Sequence, residues 1–493
     1  MKRAMAYLRT MDRRSLLWVA LAFGLTSVVY LAWLDRLVTL AGAAASDALS
    51  LVAGYLFQAV GLAVACAFFK RNRPSLEGEA DAAARHRQAF ILTVVLFAVA
   101  TVPALLTESI PAVIAFGLLM NLLCGVIAGF YLWTVGARVD ARQRSMVFGG
   151  GYAVATVGAG LLAIAGLTRG WTAVPVCLAL SAALLWATLR FDCMRLSGSL
   201  RAVGEARPGQ ETTPDIPDGK GMPLLTLACV AVLLISVVKD LGFNFPSADI
   251  QAGLVPEIAR IPYAVGLLAA GFINDRNRKH GLVCAAATLV IPFIMLALID
   301  KPISSAIFWG LNYVFYAFFT VFRVVIVMDI VSREGRDAAP RYWLAPLGLL
   351  VGRIGDAVGS GIALTLSGRL IPLIITAGGL FAACVFALYR LYERCFMPEA
   401  VRQRTEKEIF NAFCMHNDLS TREQEVLQML LARQTNAQIG DALFISENTV
   451  KYHVKNILQK TGCKNRGDLQ AKYMQAAYPT GATVLPFKMP DAR

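Results

Sequence analysis

Charged side chains are scarce in this chain of 493 residues. Asp, Glu, Lys and Arg make up 16% of it, whereas hydrophobic residues make up 57%. Soluble domains typically contain roughly 25% charged and 45–50% apolar residues. The imbalance excludes a soluble globular protein as the description of most of the chain, and it favours the lipid bilayer as the solvent.

Histidine and paired cysteines are scarce as well. The four histidines lie far apart, and the ten cysteines include no Cys-x-x-Cys pair. Zinc sites and disulfide frameworks need such ligands at short spacings. The sequence therefore predicts no metal site, no cofactor and no disulfide framework. Because it also offers no nucleophile arrangement or phosphate-binding loop, we expect that the protein is not an enzyme.

Positive charge, by contrast, is in excess, with 47 Lys and Arg against 33 Asp and Glu and a net charge of +14. Binding of nucleic acid, binding of anionic lipid and the basic bias of cytoplasmic membrane loops each predict such an excess. The position of the basic residues along the chain decides between these explanations.

Twelve stretches are apolar and long enough, at about 20 residues, to cross a bilayer as helices. They begin near Leu16, Ala48, Phe90, Pro111, Met146, Trp171, Pro223, Ile250, Gly281, Pro302, Tyr342 and Leu370. The first follows Arg13 and Arg14 and precedes three alanines at 43–45, as a cleavable secretory signal would. It is longer than a usual signal core, so we interpret it as the first span, with a signal peptide as the alternative.

Lys and Arg alternate between the loops on the two sides of this predicted bundle. One side is rich in them, whereas the loops of the other side hold only Arg36, Arg169, Lys239, Lys301 and Arg369. Cytoplasmic loops retain basic residues. Both ends of the chain are therefore predicted to be cytoplasmic.

The spans form two groups of six. A cytoplasmic N-terminus (residues 1–15) precedes the first half (16–190), and a polar cytoplasmic loop (191–222) separates it from the second half (223–392). The sequence predicts an all-α protein with a bundle of twelve transmembrane helices.

The loop after span eight contains a pattern of glycine, acidic and basic residues. It reads Gly271, Asp275, Arg276, Arg278 and Lys279, and with the six-plus-six layout it resembles the major facilitator superfamily. The resemblance implies that superfamily's two-halved bundle. The loop after span two has basic residues but no matching Gly and Asp, which departs from the family pattern and puts an orthodox transport cycle in doubt.

The composition becomes polar and charged after Tyr392. We expect a linker (393–416), a small cytoplasmic domain (417–480) and a tail (481–493). In this domain, Ser420 or Thr421 can cap a first helix, a second helix covers about 436–443, and Ser446 can cap a third after a three-residue turn. Two helices joined in this way form a helix-turn-helix, whose second helix reads DNA.

The third helix and the start of the first carry a specific resemblance. The Arg-Glu-x-Glu-Val-Leu opening at 422–427 and the Thr-Val-Lys-x-His-Val run at 449–454 resemble the LuxR family. The similarity covers Leu419–Leu469 and implies a four-helix domain, a homodimer on DNA that pairs through the fourth helix, and a structural ion pair between Glu425 and Arg466. Arg433, where the family commonly has Gly, and Gly440, where it has Ala, are departures.

The polar face of the third helix supplies the candidate DNA contacts. Lys451, Tyr452 and Lys455 point toward base edges on this interpretation, and the family pattern assigns them the same role. Other side chains suit contacts with phosphates. These are Ser446, Thr449, His453 and Lys460. A solvated surface is the alternative explanation for a basic helix face, and the resemblance favours DNA.

Charged residues inside the predicted spans lie in the second half of the bundle. Such residues are costly in lipid and mark pockets, pathways or paired structural sites. They are Glu257, Arg260, Arg323, Arg353 and Asp356. Glu257 with Arg260, and Arg353 with Asp356, are three residues apart, so simple ion pairs on one helix face are one interpretation. The alternative is a ligand pocket in which Arg323 and Arg353 engage an anionic or phenolic small molecule.

Together these observations predict a membrane-bound LuxR-type transcription regulator of the bacterial inner membrane, whose transporter-like domain senses a small molecule and controls binding to double-stranded DNA. Membrane lipid is a further expected partner. The alternative function is a small-molecule transporter of the major facilitator type with a regulatory DNA-binding tail.

Overall fold

The computed structural model describes residues 11–72, 79–194, 223–243, 261–290, 294, 302–333, 341–396 and 409–477. Within these ranges the backbone forms helices and turns but no strand, which confirms the predicted all-α class. The chain divides into two compact units. We call them the membrane unit, which ends at Phe396, and the C-terminal unit, which follows it.

The first half of the membrane unit contains helices α1 to α7. They are α1 (Arg13–Ala41), α2 (Ala43–Asp47), α3 (Gly54–Arg71), α4 (Glu79–Leu106), α5 (Ile110–Arg138), α6 (Arg144–Ile164) and α7 (Ala173–Phe191). A π-helical segment, Ala48–Ala53, joins α2 to α3. Helices form here because every backbone amide and carbonyl in hydrocarbon needs a partner within the protein.

The second half contains helices α8 to α13. They are α8 (Leu224–Phe243), α9 (Ile261–Arg276), α10 (Arg278–Ala286), α11 (Pro302–Arg333), α12 (Leu347–Thr365) and α13 (Leu370–Phe396). Among the described residues, ten helical segments are long and apolar enough to cross a membrane. The predicted eighth and ninth spans lie partly outside the described residues, so the count of twelve stays a prediction.

Close helix packing and a shared core hold the membrane unit together. A Cβ atom on Gly61 of α3 would overlap the carbonyl oxygen of Leu122 in α5. Small residues permit this approach of two backbones. The apolar core then continues across both halves, since Phe148 of α6 shares it with Leu267 of α9 and Val321 of α11. The two halves therefore pack directly against each other.

The C-terminal unit contains four helices whose caps follow from the sequence. They are α14 (Thr421–Leu431), α15 (Asn436–Leu443), α16 (Glu447–Thr461) and α17 (Arg466–Ala477). Ser420 and Glu423 form a capping box at α14, as Thr435 and Gln438 do at α15. Such boxes satisfy amides that have no partner within the helix. Val426, Ile439, Val450 and Ile457 are fully buried between the helices.

Two departures from the family pattern have opposite structural consequences. Arg433 ends α14 with φ 60°, in the left-handed region that favours glycine. At Gly440 of α15 a Cβ would lie 2.8 Å from the carbonyl oxygen of Ile445, which is closer than ordinary contact. The first departure strains the turn, whereas the second lets α15 approach the turn that leads to α16.

Candidate DNA-binding surface and membrane cavity

The recognition helix α16 has one buried and one exposed face. Val450 and Ile457 are fully buried, which fixes the rotation of the helix about its axis. Lys451, Tyr452 and Lys455 lie on the opposite, exposed face. Tyr452 is 63% exposed although its ring is largely apolar. The side chains that the sequence assigned to base contacts are therefore together on one accessible surface.

The first turn of α16 is fixed by its own side chains. The Ser446 hydroxyl accepts from the backbone amide of Thr449 at 3.1 Å and lies 2.8 Å from the Thr449 hydroxyl. Lys451 forms an ion pair with Glu447 at 3.1 Å, one turn earlier. Exposed pairs of this kind stabilise a helix little. Lys451 can therefore leave Glu447 for another acceptor at small cost.

His453 and Lys460 also make contacts within the unit. The half-buried His453 ring lies 5.9 Å from the Tyr452 ring. Lys460 donates to the Glu423 carboxylate at 2.7 Å and to the backbone carbonyl of Asp418 at 2.9 Å. Lys460 thus joins the end of α16 to the start of α14, a structural role beside its predicted phosphate contact.

The ion pair that the family resemblance implied between Glu425 and Arg466 is absent from this structure's described residues. Glu425 instead pairs with Arg422 at 2.6 Å, within the same helix. Arg466 donates to the carbonyl oxygen of Gln434 at 3.3 Å and to the Asn436 side chain. The expectation was wrong because the arginine three residues before Glu425 is nearer along α14.

A buried charge network occupies the second half of the membrane unit. The Asp356 carboxylate of α12 is fully buried and lies 2.9 Å from Lys239 Nζ, 3.0 Å from Arg323 Nη1 and 3.2 Å from Arg353 Nη1. Lys239 of α8 also pairs with Asp240 at 2.8 Å. The predicted pair of Arg353 with Asp356 is confirmed, and Arg323 joins it. Glu257 and Arg260 lie outside the described residues.

The sequence placed Lys239 wrongly in an outside loop. It is a residue of helix α8 with 1% of its side chain exposed. The polar residues that follow suggested a loop boundary, but α8 continues to Phe243. Two buried carboxylates stabilise the ammonium where an unpaired lysine would be costly. The sequence also gave no signal for Asp240, because its contacts depend on the packing of α8 against α12.

A cavity of about 370 Å³ lies beside this network, between the halves of the membrane unit. Helices α1, α3, α5 and α6 line it on one side and α8, α9, α11 and α12 on the other. Its walls are rich in tyrosine, at Tyr30, Tyr55, Tyr131, Tyr152, Tyr263, Tyr313 and Tyr316. Asp47, Asp240 and Arg353 supply ionisable groups. Asp47 belongs to the first half, where the sequence analysis found no charged residue inside a span.

Arg353 differs from the other cations of the network. Its side chain is 20% exposed, whereas those of Arg323 and Lys239 are 2% and 1% exposed. Its guanidinium carbon lies 4.8 Å from the centre of the Tyr55 ring, at the cavity wall. The buried Nε atoms of Arg353 and of Arg323 both lack a hydrogen-bond partner among the described groups. Arg353 therefore retains donor capacity and faces the cavity, whereas Arg323 does not line it.

A second ionic cluster joins the halves at the loop pattern after α9. The Asp275 carboxylate accepts from the backbone amides of Ser145 and Met146 at 2.9 Å, in the first turn of α6. Arg278 contacts Asp275 at 2.9 Å and Asp329 of α11 at 2.6 Å. The carboxylate also lies where the α6 dipole favours an anion. Asp275 therefore links the second half to the first.

Comparison with known proteins identifies the C-terminal unit. Residues 417–472 match the luxR family of bacterial regulatory proteins. The C-terminal unit is a LuxR-type helix-turn-helix domain. Over 48 residues, 10% of this chain, it is 54% identical to the transcriptional regulatory protein DegU of Brevibacillus brevis and 46% identical to the spore germination protein GerE of Bacillus subtilis. The matches cover 20% and 65% of those proteins, less than two thirds of their length.

The membrane unit has a known fold. The crystal structure of the human organic anion transporter MFSD10 (TETRAN) aligns with a TM-score of 0.53 and 16% sequence identity, over 76% of this chain and 99% of that one. The similarity confirms the predicted major facilitator-like fold. At this identity it concerns the fold alone.

The bond between Glu423 and Lys460 predicts a pH-dependent stability of the LuxR-type domain. Burial raises the pKa of the Glu423 carboxyl, but hydrogen bonds from Lys460 and Ser420 outweigh that effect and lower its pKa below the usual range. The contribution of this carboxylate is therefore complete above the unfolded pKa of about 4.3 and is lost as pH falls through the lower folded value. Glu423→Gln should reduce hydrogen-exchange protection of α14 and α16 at pH 6. The difference in protection between this variant and the wild type should become smaller below pH 4. A difference in protection that does not change with pH would contradict this explanation.

Proposed function

We propose that this protein is a membrane-bound LuxR-type transcription regulator of the bacterial inner membrane, with both termini in the cytoplasm. The observation that carries the proposal is the exposed face of α16. Lys451, Tyr452 and Lys455 lie together on it, in a domain of the luxR family. The relatives that match include bacterial transcriptional regulatory proteins, such as the DegU protein named above.

The DNA contacts divide into two classes. Lysine donates to guanine O6 and N7 in the major groove, so Lys451 and Lys455 are the candidates for sequence reading. Ser446, Thr449, His453 and Lys460 would contact phosphates and set the register of the helix. A homodimer would place two recognition helices on a two-fold symmetric site.

We further propose that the membrane unit senses a small molecule in the tyrosine-rich cavity. Arg353 supports an anionic group as ligand, because a guanidinium that lines a cavity can donate charge-assisted hydrogen bonds to a carboxylate. Tyrosine rings and the carboxylates of Asp47 and Asp240 suit an aromatic body that carries a phenolic hydroxyl. The cavity volume of about 370 Å³ lies at the lower end of the range for small-molecule sites.

The position of the cavity suggests how a ligand would act. Residues of both halves line it, so a ligand that fits one arrangement of the halves better shifts the population toward that arrangement. The Asp275 cluster, which joins the halves at another point, would respond to the same shift. The state of the membrane unit would then control DNA binding.

The second candidate function is transport with a regulatory tail. It is favoured by the major facilitator-like fold and by the cavity between the halves. The similar solved structure is that of an organic anion transporter, and an anion is also the ligand that Arg353 supports. The loop after span two lacks the Gly and Asp of the loop after span eight, which favours the regulator instead.

Replacement of both reading lysines tests DNA recognition. We expect Lys451→Ala with Lys455→Ala to weaken binding to a duplex selected by the wild-type chain by about 30-fold or more, since each lysine contributes roughly 1–3 kcal/mol of discrimination. Lys464→Ala, at an exposed position after α16, is the matched control and should change affinity by less than threefold. Equal losses in the two chains would indicate a general charge effect and contradict sequence reading.

Replacement of the cavity arginine tests ligand binding. In detergent, aromatic carboxylates should raise the melting temperature of the wild-type membrane unit, and their neutral esters should not. Arg353→Ala should weaken this response about 10-fold or more, whereas Arg390→Ala, whose side chain pairs with Glu393 outside the cavity lining, should retain it. An unchanged response in Arg353→Ala would place the pocket elsewhere, and uptake into vesicles that depends on Arg353 would favour transport.

A further inference from the structure

A short helix precedes the LuxR-type domain and belongs to the same compact unit. Residues 409–416 are helical, and the turn at Asn417 and Asp418 follows. We call residues 409–418 the arm. Its helix lies outside the residues that match the luxR family, which begin at 417. Along the chain, the arm stands between the last membrane helix, which ends at Phe396, and the DNA-binding helices.

The arm packs against the fourth helix, α17. Phe413 and Cys414 are 5% and 1% exposed and belong to the core of the domain. The Phe413 ring lies 5.1 Å from the Tyr473 ring in an edge-on arrangement, and the Phe410 ring lies 6.4 Å from it. Tyr473 is 3% exposed as a result. The arm therefore covers an aromatic side chain of α17.

The arm also contacts the end of the recognition helix. The Asp418 carbonyl accepts the hydrogen bond from Lys460, in the last turn of α16. Two hydrogen bonds connect the turn at 417–418 to the arm helix. Asn417 Nδ2 donates to the Phe413 carbonyl at 2.8 Å, and the Leu419 amide donates to the Cys414 carbonyl at 3.0 Å. A displacement of the arm helix would therefore reach α16 through Lys460 as well as α17 through Tyr473.

We propose that the arm is the element through which the membrane unit controls DNA binding, an inference that rests on the proposed function. Twelve residues, 397–408, connect Phe396 to the arm, and a chain of that length reaches about 40 Å at most. A change of state in the membrane unit displaces the arm through this connection. Displacement of the arm uncovers Tyr473 and removes the Asp418 carbonyl from Lys460, which alters the position of α16 and the availability of one of its basic groups.

The test needs a defined change in the membrane unit, and Asp275→Asn provides one. It weakens the charged link between the halves without touching the C-terminal unit. We expect it to change the affinity of the full chain, in lipid nanodiscs, for a duplex selected by the wild-type chain by about fivefold or more, as allosteric couplings usually do. In a chain that also carries Phe410→Ala, Asp275→Asn should change the affinity for this duplex by less than twofold.

Two further variants separate coupling from folding. Met415→Ala alters the same helix at a side chain that is 75% exposed, and it should leave the effect of Asp275→Asn intact. Insertion of eight Gly and Ser residues between Met397 and Pro398 lengthens the connection and leaves the sequence of the arm unchanged. It should abolish the effect of Asp275→Asn even if Phe410→Ala proves unstable.

The outcomes are distinct. Survival of the Asp275→Asn effect in the chain with the inserted linker would overturn the role of the arm and leave the proposed function standing. Absence of an Asp275→Asn effect in a wild-type background that binds DNA would contradict control by the membrane unit, and the arm's role with it. Failure of the wild-type chain to select any duplex would refute the proposed function itself.

Discussion

The Asp356 carboxylate is buried in the membrane unit and meets three cations from three helices, α8, α11 and α12. Each of these charges would be strongly unfavourable in lipid without its partners. The three helices are therefore constrained to pack together. One cation, Arg353, also faces the cavity, so an anionic ligand would act on the same network that holds these helices. The packing of these helices and the binding of the ligand would then depend on the same charged groups.

The same logic operates at the edge of the bundle, where Asp275 satisfies two backbone amides of α6 and also pairs with Arg278. This carboxylate belongs to the second half but accepts hydrogen bonds from the first turn of a helix in the first half. It therefore constrains the position of one half relative to the other. Ionic contacts of this kind have discrete arrangements, because a displaced carboxylate leaves both amides and the guanidinium without it. Such a contact suits a unit that changes between two states.

The sequence predicted what depends on local pattern. Apolar runs predicted the ten candidate spans of the described residues, because hydrocarbon requires continuous helices. The motif at 449–454 predicted the recognition helix, on which Lys451 and Lys455 are exposed. Contacts between distant segments could not be predicted in this way. Lys239 looked like a loop residue because its two carboxylate partners were not visible along the chain. The sequence predicted a linker at the arm helix, because Phe410 and Phe413 pack against Tyr473, which lies some sixty residues later in the chain.

The central claim is that the intact chain regulates genes while it remains in the membrane. The most direct test is to crosslink growing cells, isolate the full-length chain from the membrane fraction and sequence the DNA bound to it, with the Lys451→Ala, Lys455→Ala chain as control. The account predicts a small set of promoter sites bound by the intact wild-type chain and absent from the control. Specific DNA found only with a shorter, released fragment, or no site that distinguishes the two chains, would contradict it.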